Sequence, residues 1–363
     1  MITKTTRRLA LVAIASAATF AIACQPDQTA QPATTAAAKP LFPPRFGSDH
    51  VPDKAANSIR VATYNVENLF DDVDDPTLSG DQEDIDDRKP DGQLDAVALA
   101  IHSVNADVIC LEEVESLDAL HWFMDSRLAD MGYDYIVSID AGDERGIEQA
   151  VLSRFPIVET KNWPKRPLGG VHPDKYGNSE NWYAGKPITF HRSPLMVVVE
   201  VPGETWGGDE PWRLRLFAVH MKSGRYSDYW REKEAEGLVS VMNELRESEG
   251  DLGPTLILGD FNATGDAKSV QTLVDAGFHD LFADNTGAKT KWISHESGRR
   301  IDLILANDAA AGCELADSET IYGTPARPAE ISWRDMTTFE GYASDHYPVM
   351  VDLSPSRSLT HAP

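Results

Sequence analysis

Asp260 and Asn262 stand two residues apart at the end of an apolar run, "TLILGDFNA" (255–263). Strand side chains alternate between faces, so residues two apart share a side, and this carboxylate and carboxamide can meet one ligand. The same kind of ending recurs along the chain. "VATYNVEN" stops at Asn65 with Glu67 two residues on, "VICLEEV" at Glu112 and Glu113, and "RLFAVHMKS" at His220 with Lys222 beyond. "RRIDLIL" opens a strand with Asp302, and "SDHYPVMV" opens the last one with Asp345 and His346. A single Asp after a strand is usually a turn residue or a helix cap. Six such termini, all rich in Asn, Asp, Glu or His, describe a polar site if they converge. Carboxylates in excess, without a Ser–His pair, suit a hard divalent cation with oxygen ligands, magnesium or manganese. His and Asn add donors for charge that builds on a phosphoryl oxygen. A carboxylate near a bound water can act as base. The chemistry that fits is in-line attack of water on phosphorus.

Positioning these groups is the task of the elements between them. Alternating or continuous apolar runs predict strands at 59–65, 107–113, 133–138, 149–155, 195–201, 212–220, 255–260, 301–307 and 344–353. Helical spacing predicts helices over 90–105, with Leu94, Val97, Ala98 and Ile101 on one face, over 228–247, with Leu238, Val241, Met242 and Leu245, and over 267–276. There is no internal repeat. Strands outnumber helices and many are joined by short turns, which favours an α+β fold of packed sheets over a parallel doubly wound sheet.

The chain has 363 residues, 42% hydrophobic and 25% charged, enough for one large domain with a sizeable core. A formal charge of -25 opposes non-specific binding to nucleic acid. It leaves room for a nucleic-acid substrate bound through a metal ion and a local basic groove. Lys4, Arg7 and Arg8 precede the apolar stretch "LALVAIASAATFAIA", which is too short to span a membrane comfortably. Residues 1–23 are therefore expected to be a signal peptide of lipoprotein type, with Cys24 the lipidated first mature residue; an ordinary secretory signal cut nearby is the alternative. Residues 24–57, rich in Ala, Thr, Pro and Gln, read as a flexible tether, 58–355 as the catalytic domain and 356–363 as a tail. These signals predict a monomer exported to the cell envelope or secreted, touching a membrane only through Cys24. Cys110, inside "DVICLE", reads as a buried thiol, and its pairing with Cys313 is left open.

Two segments are irregular. Residues 71–87 are dense in acid; a structural calcium site or a solvated loop would each account for them, although the spacing is not that of an EF-hand. Residues 162–193 carry Trp163, Tyr176, Trp182, Tyr183 and Arg192, a composition that suits either the wall of a substrate cleft or an insertion packed on its own side chains.

"TYNVENLF", "ICLEEVE", "FAVHMKS", "ILGDFNA", "RRIDLIL" and "SDHYPVM", in this order, resemble the endonuclease/exonuclease/phosphatase family with the DNase I-like fold. "DERGIEQAVLS" (143–153) resembles the middle block of exported bacterial members. The resemblance runs from about residue 59 to 354 and implies a four-layer α/β/β/α sandwich whose site lies where strand ends of both sheets meet. It implies that Glu113 is the principal metal ligand, with Asn65 beside it, Glu67 holding metal through water, and Asp345 positioning metal or histidine. It implies that His220 and Asn262 bind the phosphate and stabilise the pentacovalent transition state. Asp260 would orient or deprotonate the attacking water, Asp302 would hydrogen-bond a histidine, and His346 would contact the phosphoryl oxygen or transfer a proton. Whether Asp260 or His346 is the base stays open.

Glu112 departs from the family pattern, which commonly has Gln there; it would deepen the negative field or be protonated. Arg145 resembles a basic group near the substrate, and Lys222 and Arg225 follow His220; each reads equally as a solvated cation. The implied activity is that of a metal-dependent phosphodiesterase, most simply a nuclease. A phosphatase or a phospholipid or sphingomyelin phosphodiesterase is the alternative on the same fold, and an inactive binding module is the alternative from another class. A lipid-directed enzyme would need an exposed apolar hairpin, for which the only candidate is Trp206 and Trp212 around a Gly-rich turn.

Overall fold

Alternation in the strands sorts the apolar residues into three cores. In β1 (Ile59–Leu69), Ile59 and Val61 enter one core while Ala62 and Tyr64 enter another. This is the period-two logic of a strand buried on both faces. The computed structural model describes residues 44–74, 88–283, 286–325 and 341–358. After β1 come α1 (Asp91–Val104), β2 (Val108–Val114), α2 (Leu117–Arg127), β3 (Tyr135–Ser138), β4 (Glu148–Ser153) and β5 (Ile157–Asn162). Four short strands follow, β6 (Pro167–Val171), β7 (Lys175–Tyr176), β8 (Ser179–Glu180) and β9 (Pro187–Thr189). The rest of the order is β10 (Leu195–Val201), α3 (Gly203–Trp206), β11 (Trp212–His220), α4 (Asp228–Glu249), β12 (Thr255–Asp260), α5 (Lys268–Asp275), β13 (Phe278–Asp280), β14 (Asp302–Asn307), α6 (Asp308–Ala311), β15 (Thr320–Ile321) and β16 (Val349–Leu353).

Two six-stranded mixed sheets carry the fold, in the orders β15-β16-β1-β2-β4-β3 and β13-β14-β12-β11-β10-β5. Between them lies a core of Val61, Cys110, Val197, Leu214, Leu216, Leu256, Leu258, Ile304 and Val351, all fully buried. Outside the first sheet, Leu94, Val97 and Ile101 of α1 and Phe123 of α2 cover Tyr64, Ile109 and Leu111. Outside the second, Leu238, Val241 and Met242 of α4 and Leu273 of α5 cover Met196, Phe217 and Ile257. The expected four-layer α/β/β/α sandwich of α+β class is the observed architecture. Each fully buried Leu, Ile or Val contributes about 1.5–3 kcal/mol of transfer free energy, so the three cores fix how the sheets face each other.

Local signals set the helix ends. The Ser116 side chain caps α2 by accepting from Ala119 N at 3.0 Å, and α1 stops at Asn105 in the left-handed region (φ 48°). Trp206 and Trp212 are each only 8% exposed and belong to the core between the sheets, so they form no exposed apolar hairpin. Cys110 is a buried thiol. Residues 44–57, expected to continue the tether, lie against the domain: Ser48 bridges Tyr322 and Phe46 packs edge-on to Tyr347. The signal segment 1–23, Cys24, the tether to residue 43, most of the acidic stretch (75–87) and the tail from 359 lie outside the described residues.

Candidate active site

Strand parity decides which polar residues meet. In β12, Leu256 and Leu258 face the inter-sheet core, so Asp260 faces the same way at the strand's end. Trp212, Leu214, Leu216 and Ala218 do the same for His220 in β11, and Ile304 and Ala306 for Asp302 in β14. These three residues are register partners, His220 with Asp260 and Asp260 with Asp302, and form one row across the second sheet. Asn65, Glu112 and Gln149 form the matching row across the first sheet. The rows touch: Asn65 Nδ2 donates to Asp260 Oδ2 at 3.3 Å. The polar site is thus the open end of the central core.

Glu113 needs a separate explanation, because parity would send it outward. Leu111 and Val114 both belong to the outer core, so one extra residue is inserted between them, and the pairing of β2 shifts there. Glu113 has φ 64°; on the neighbouring strand, Glu67 and Asn68 have φ 53° and 56° within a register shift between Asn65 and Leu69. Paired bulges of this kind re-aim side chains beside active sites. Left-handed φ at non-glycine residues costs about 1–2 kcal/mol each, so the surrounding contacts must hold it. They do: Glu113 Oε1 accepts from Asn65 Nδ2 at 3.3 Å and Oε2 from Asn68 N at 3.1 Å. Asn68 in turn accepts from the Arg145 guanidinium. Asn262, at φ 49°, turns back so that its N–H and Nδ2 donate to the two oxygens of Asp260 at 2.7 and 2.9 Å.

His346 enters from the segment before β16. Its Nδ1 lies 2.9 Å from Asp302 Oδ1, and its Nε2 is 3.8 Å from both Asp260 Oδ2 and Asp345 Oδ1. Burial alone would lower its pKa; Asp302, Asp345 and Asp260 overcome this and hold it well above the usual histidine range. Asp260 is also raised above an ordinary carboxyl, to about 6, chiefly by burial. His220 is held far below the usual range, first by burial and then by Arg192, whose Nη2 donates to His220 Nε2 at 3.1 Å. The site therefore holds one protonated imidazole and one neutral one, set apart by their neighbours.

A second acidic group lies beside the bulges. Glu67 Oε2 accepts from Tyr342 at 2.9 Å and from Gln93 at 3.2 Å, and its backbone oxygen accepts from Lys89 Nζ. Burial, with Asp345 next, raises its pKa to about 8, while burial lowers Lys89 to about 8. Asp345 is also opposed by burial, but His346 and His295 hold it at about 2. Glu67, Glu113 and Asp345 share Lys89 and His346 as their nearest cations, and a cluster of carboxylates of this kind suits a divalent cation with oxygen ligands. Among the described residues, ligand atoms of His295, Asp345 and His346, and of Asp260, Asp302 and His346, come within 4.8 Å of one another. Glu112 lies outside that group. It is fully buried, accepts from Thr63 Oγ1 at 2.6 Å, and burial raises its pKa far above the ordinary range, so it stands as a neutral acid where Gln is common in the family it resembles.

The structure thus brings together Asn65, Glu67, Glu113, His220, Asp260, Asn262, Asp302, Asp345 and His346. Arg145 joins them through Asn68. Lys222 sits at the margin, its ammonium 5.8 Å from the Trp230 ring, with burial and Arg192 lowering its pKa to about 8. Two residues carry no spacing signal in the sequence. Arg192 is buried between His220 and Asp143, donating to the latter at 3.0 Å. His295 approaches Asp345 at 3.3 Å and contacts the His346 ring edge-on. A cavity of about 430 Å³ begins at Asn262 and is lined by Arg225, Arg299 and the ion pair of Arg231 with Asp228.

A model of the endonuclease/exonuclease/phosphatase family matches residues 62–346, which include every residue of both rows. No curated protein sequence matches the chain. Among solved structures, the catalytic domain of human Nocturnin aligns with a TM-score of 0.50 at 14% identity, covering 83% of this chain and 96% of that one. An endonuclease/exonuclease/phosphatase from Beutenbergia cavernae aligns with a TM-score of 0.50 at 19% identity, over 82% of this chain and 71% of that one. A mannosyl-6-phosphatase from Bacteroides thetaiotaomicron aligns at 18% identity and a TM-score of 0.49, over 82% and 99%. At these identities the likeness is one of fold.

Proposed function

Because the chain belongs to the endonuclease/exonuclease/phosphatase family and is a phosphoester hydrolase, we propose that it is a divalent-metal-dependent phosphodiesterase acting on nucleic acid. The observation that carries the reading is the pair of facing rows, with the Asp260 carboxylate as a proton acceptor and the protonated His346 as a donor, their nearest atoms 3.8 Å apart. Asp260, ionised at neutral pH, takes the proton of the attacking water. His346 keeps its Nε2 proton toward the phosphoryl oxygens, and Asp302 fixes the ring by accepting from Nδ1. Asn262, just past β12, and Arg192, from the segment before β10, would meet negative charge on the phosphoryl group, while His220 is neutral and already accepts from Arg192. Glu113 would hold magnesium or manganese, with Asn65, Glu67 and Asp345 around it. When bound, such an ion supplies a Lewis acid for the phosphoryl oxygen.

Nucleic acid is favoured over a monophosphoester by the arginine cavity at Asn262. In a chain of net charge -25, Arg225 and Arg299 are exposed there and, among the described residues, make no ion pair. That is a local basic groove of the kind a polyanion requires. The burial of Trp206 and Trp212 removes the one sequence feature that favoured a lipid substrate. The N-terminal segment supports export and an anchor at Cys24 as part of the same reading.

The experiment is to incubate residues 25–363 and Asp260→Ala with plasmid DNA, RNA, sphingomyelin and bis-p-nitrophenyl phosphate, each with magnesium, manganese or EDTA. Metal-dependent degradation of nucleic acid, lost in the variant, is the expected result. Turnover of the small ester or lipid alone would move the substrate to the alternative class.

A further inference from the structure

The segment between β5 and β10 contributes Arg192 to the site, but most of it is engaged elsewhere. With the 140–144 turn and Trp230 of α4, it encloses a cavity of about 690 Å³, within the range of small-molecule sites. One wall is aromatic. His172, His191 and Tyr183 lie 4.3, 5.0 and 5.1 Å from the Trp230 ring. Trp230 is buried and anchored by its Nε1 donating to Thr189 O at 2.7 Å, whereas Tyr183 is only half-buried and has ring surface to offer. Both histidines are held below the usual range, His191 strongly, chiefly by burial, so each is a neutral ring; His172 Nδ1 is engaged by the Tyr229 hydroxyl at 2.8 Å and His191 Nε2 lies 3.6 Å from Asp143 Oδ2, which leaves His172 Nε2 and His191 Nδ1 to meet a ligand.

The charges at this cavity are arranged unevenly. Asp143 is bound to Arg192, Glu144 accepts from the Tyr183 hydroxyl at 3.2 Å, and the exposed Asp140 accepts from Gly142 N at 2.7 Å. Lys165 and Lys186 are exposed and, among the described residues, have no carboxylate within ion-pair distance; the Lys186 ammonium lies 5.5 Å from the Tyr183 ring. The cavity is joined to the reaction site by two hydrogen bonds, Asp143 to Arg192 and Arg192 to His220, of 3.0 and 3.1 Å. Aromatic surface, neutral edge donors and acceptors, and free lysines beside a phosphate site are what a heteroaromatic ring attached to that phosphate would use.

We propose that this cavity is a nucleobase subsite, holding the base of the nucleotide next to the scissile phosphate; the assignment rests on the nucleic-acid reading above. Tyr183 stacks on the base, His172 and His191 meet its polar edge, and Lys165 and Lys186 face the neighbouring phosphate.

Two esters with the same leaving group test it: thymidine p-nitrophenyl phosphate, which carries a base, and methyl p-nitrophenyl phosphate, which does not. Tyr183→Ala is expected to raise KM for the thymidine ester about tenfold, the order of one lost stack, and to leave kcat/KM for the methyl ester unchanged. Equal losses on both esters, or no change on either, overturn the subsite. Lys186→Glu, at an exposed position, repeats the comparison with the same expected direction should Tyr183→Ala not fold. Binding of thymidine monophosphate in EDTA, followed by quenching of tryptophan fluorescence, separates the subsite from the reaction. Saturable binding by the wild type that Tyr183→Ala abolishes upholds the subsite even where the thymidine ester is not turned over. Absence of binding by the wild type overturns it even where nucleic acid is degraded.

Discussion

Asp302 Oδ1 lies 2.9 Å from Nδ1 of His346, and the two residues approach from different sheets, one in a strand and the other just ahead of one. Asp302 opens β14 of the second sheet, where Ser294 Oγ also donates to it at 2.6 Å; His346 lies just ahead of β16 of the first. Asp302→Asn removes the nearest anion, so the His346 pKa must fall. The alkaline limb of kcat/KM is expected to move to lower pH, with kcat reduced by about 10²–10⁴ at neutral pH. An unchanged pH profile would mean that His346 does not hold the proton.

Glu113→Gln tests the cation site without relying on turnover. Wild-type protein is expected to gain stability on adding magnesium, about 2.7 kcal/mol at a hundredfold excess over Kd. The variant should gain little, and in EDTA it should melt slightly below the wild type, because Gln keeps one acceptor but sets an NH2 against the Asn65 or Asn68 donor. Calorimetry with and without the ion checks both points; equal magnesium stabilisation of both proteins would exclude Glu113 as a ligand.

Glu112→Gln should be close to silent. The acid is already neutral in its buried position, and Gln keeps the acceptor for Thr63. Activity within about threefold of wild type and an unshifted pH profile are expected, since no charge is lost. A large loss would show that the carboxyl ionises during the reaction.

Lys222 supplies a pH dependence of its own. Its pKa is lowered to about 8, by burial and then Arg192, so the ammonium is lost as pH rises through that value. If its charge supports phosphate binding, kcat/KM falls above about pH 8. Lys222→Arg, which keeps its charge, moves that limb upward. A rate profile that is the same in both proteins would place Lys222 outside the binding step.

Arg225→Ala and Arg299→Ala should weaken long nucleic-acid substrates and spare small esters. Each is expected to reduce the slope of log affinity against log salt by about one, the share of one phosphate contact. Titrations at several salt concentrations read this directly, and an unchanged slope would remove the arginine cavity from the binding path.

How much of this was legible in the sequence follows from what each signal depends on. Strand parity is local, so Asp260 with Asn262, and the inward aim of Asn65, His220 and Asp302, could be read from alternation alone. The helices at 228–249 and 268–275 match their apolar stripes closely. Glu113 was visible as a residue, but its orientation depends on an inserted residue that sets φ at 64°, which no period reveals. Arg192 and His295 are brought in by packing from irregular segments. The turn of Trp206 and Trp212 was the only candidate for an exposed hairpin; Trp212 shares the parity of Leu214 and Leu216, which face the core, whereas the burial of Trp206 is decided by packing between the sheets.

One feature of the topology concerns when activity can arise. β1, which carries Asn65, pairs with β16 on one side, from Ile59 with Leu353 to Thr63 with Val349. The first strand of the domain thus waits for one of the last, and His346 is synthesised only just before it. On a ribosome the nascent chain would hold Asn65, Glu67 and Glu113 long before Asp345 and His346, with an open edge on β1 in the interval. A hydrolase built this way remains inert until translation of the domain is complete, and a chain truncated before residue 346 cannot become active.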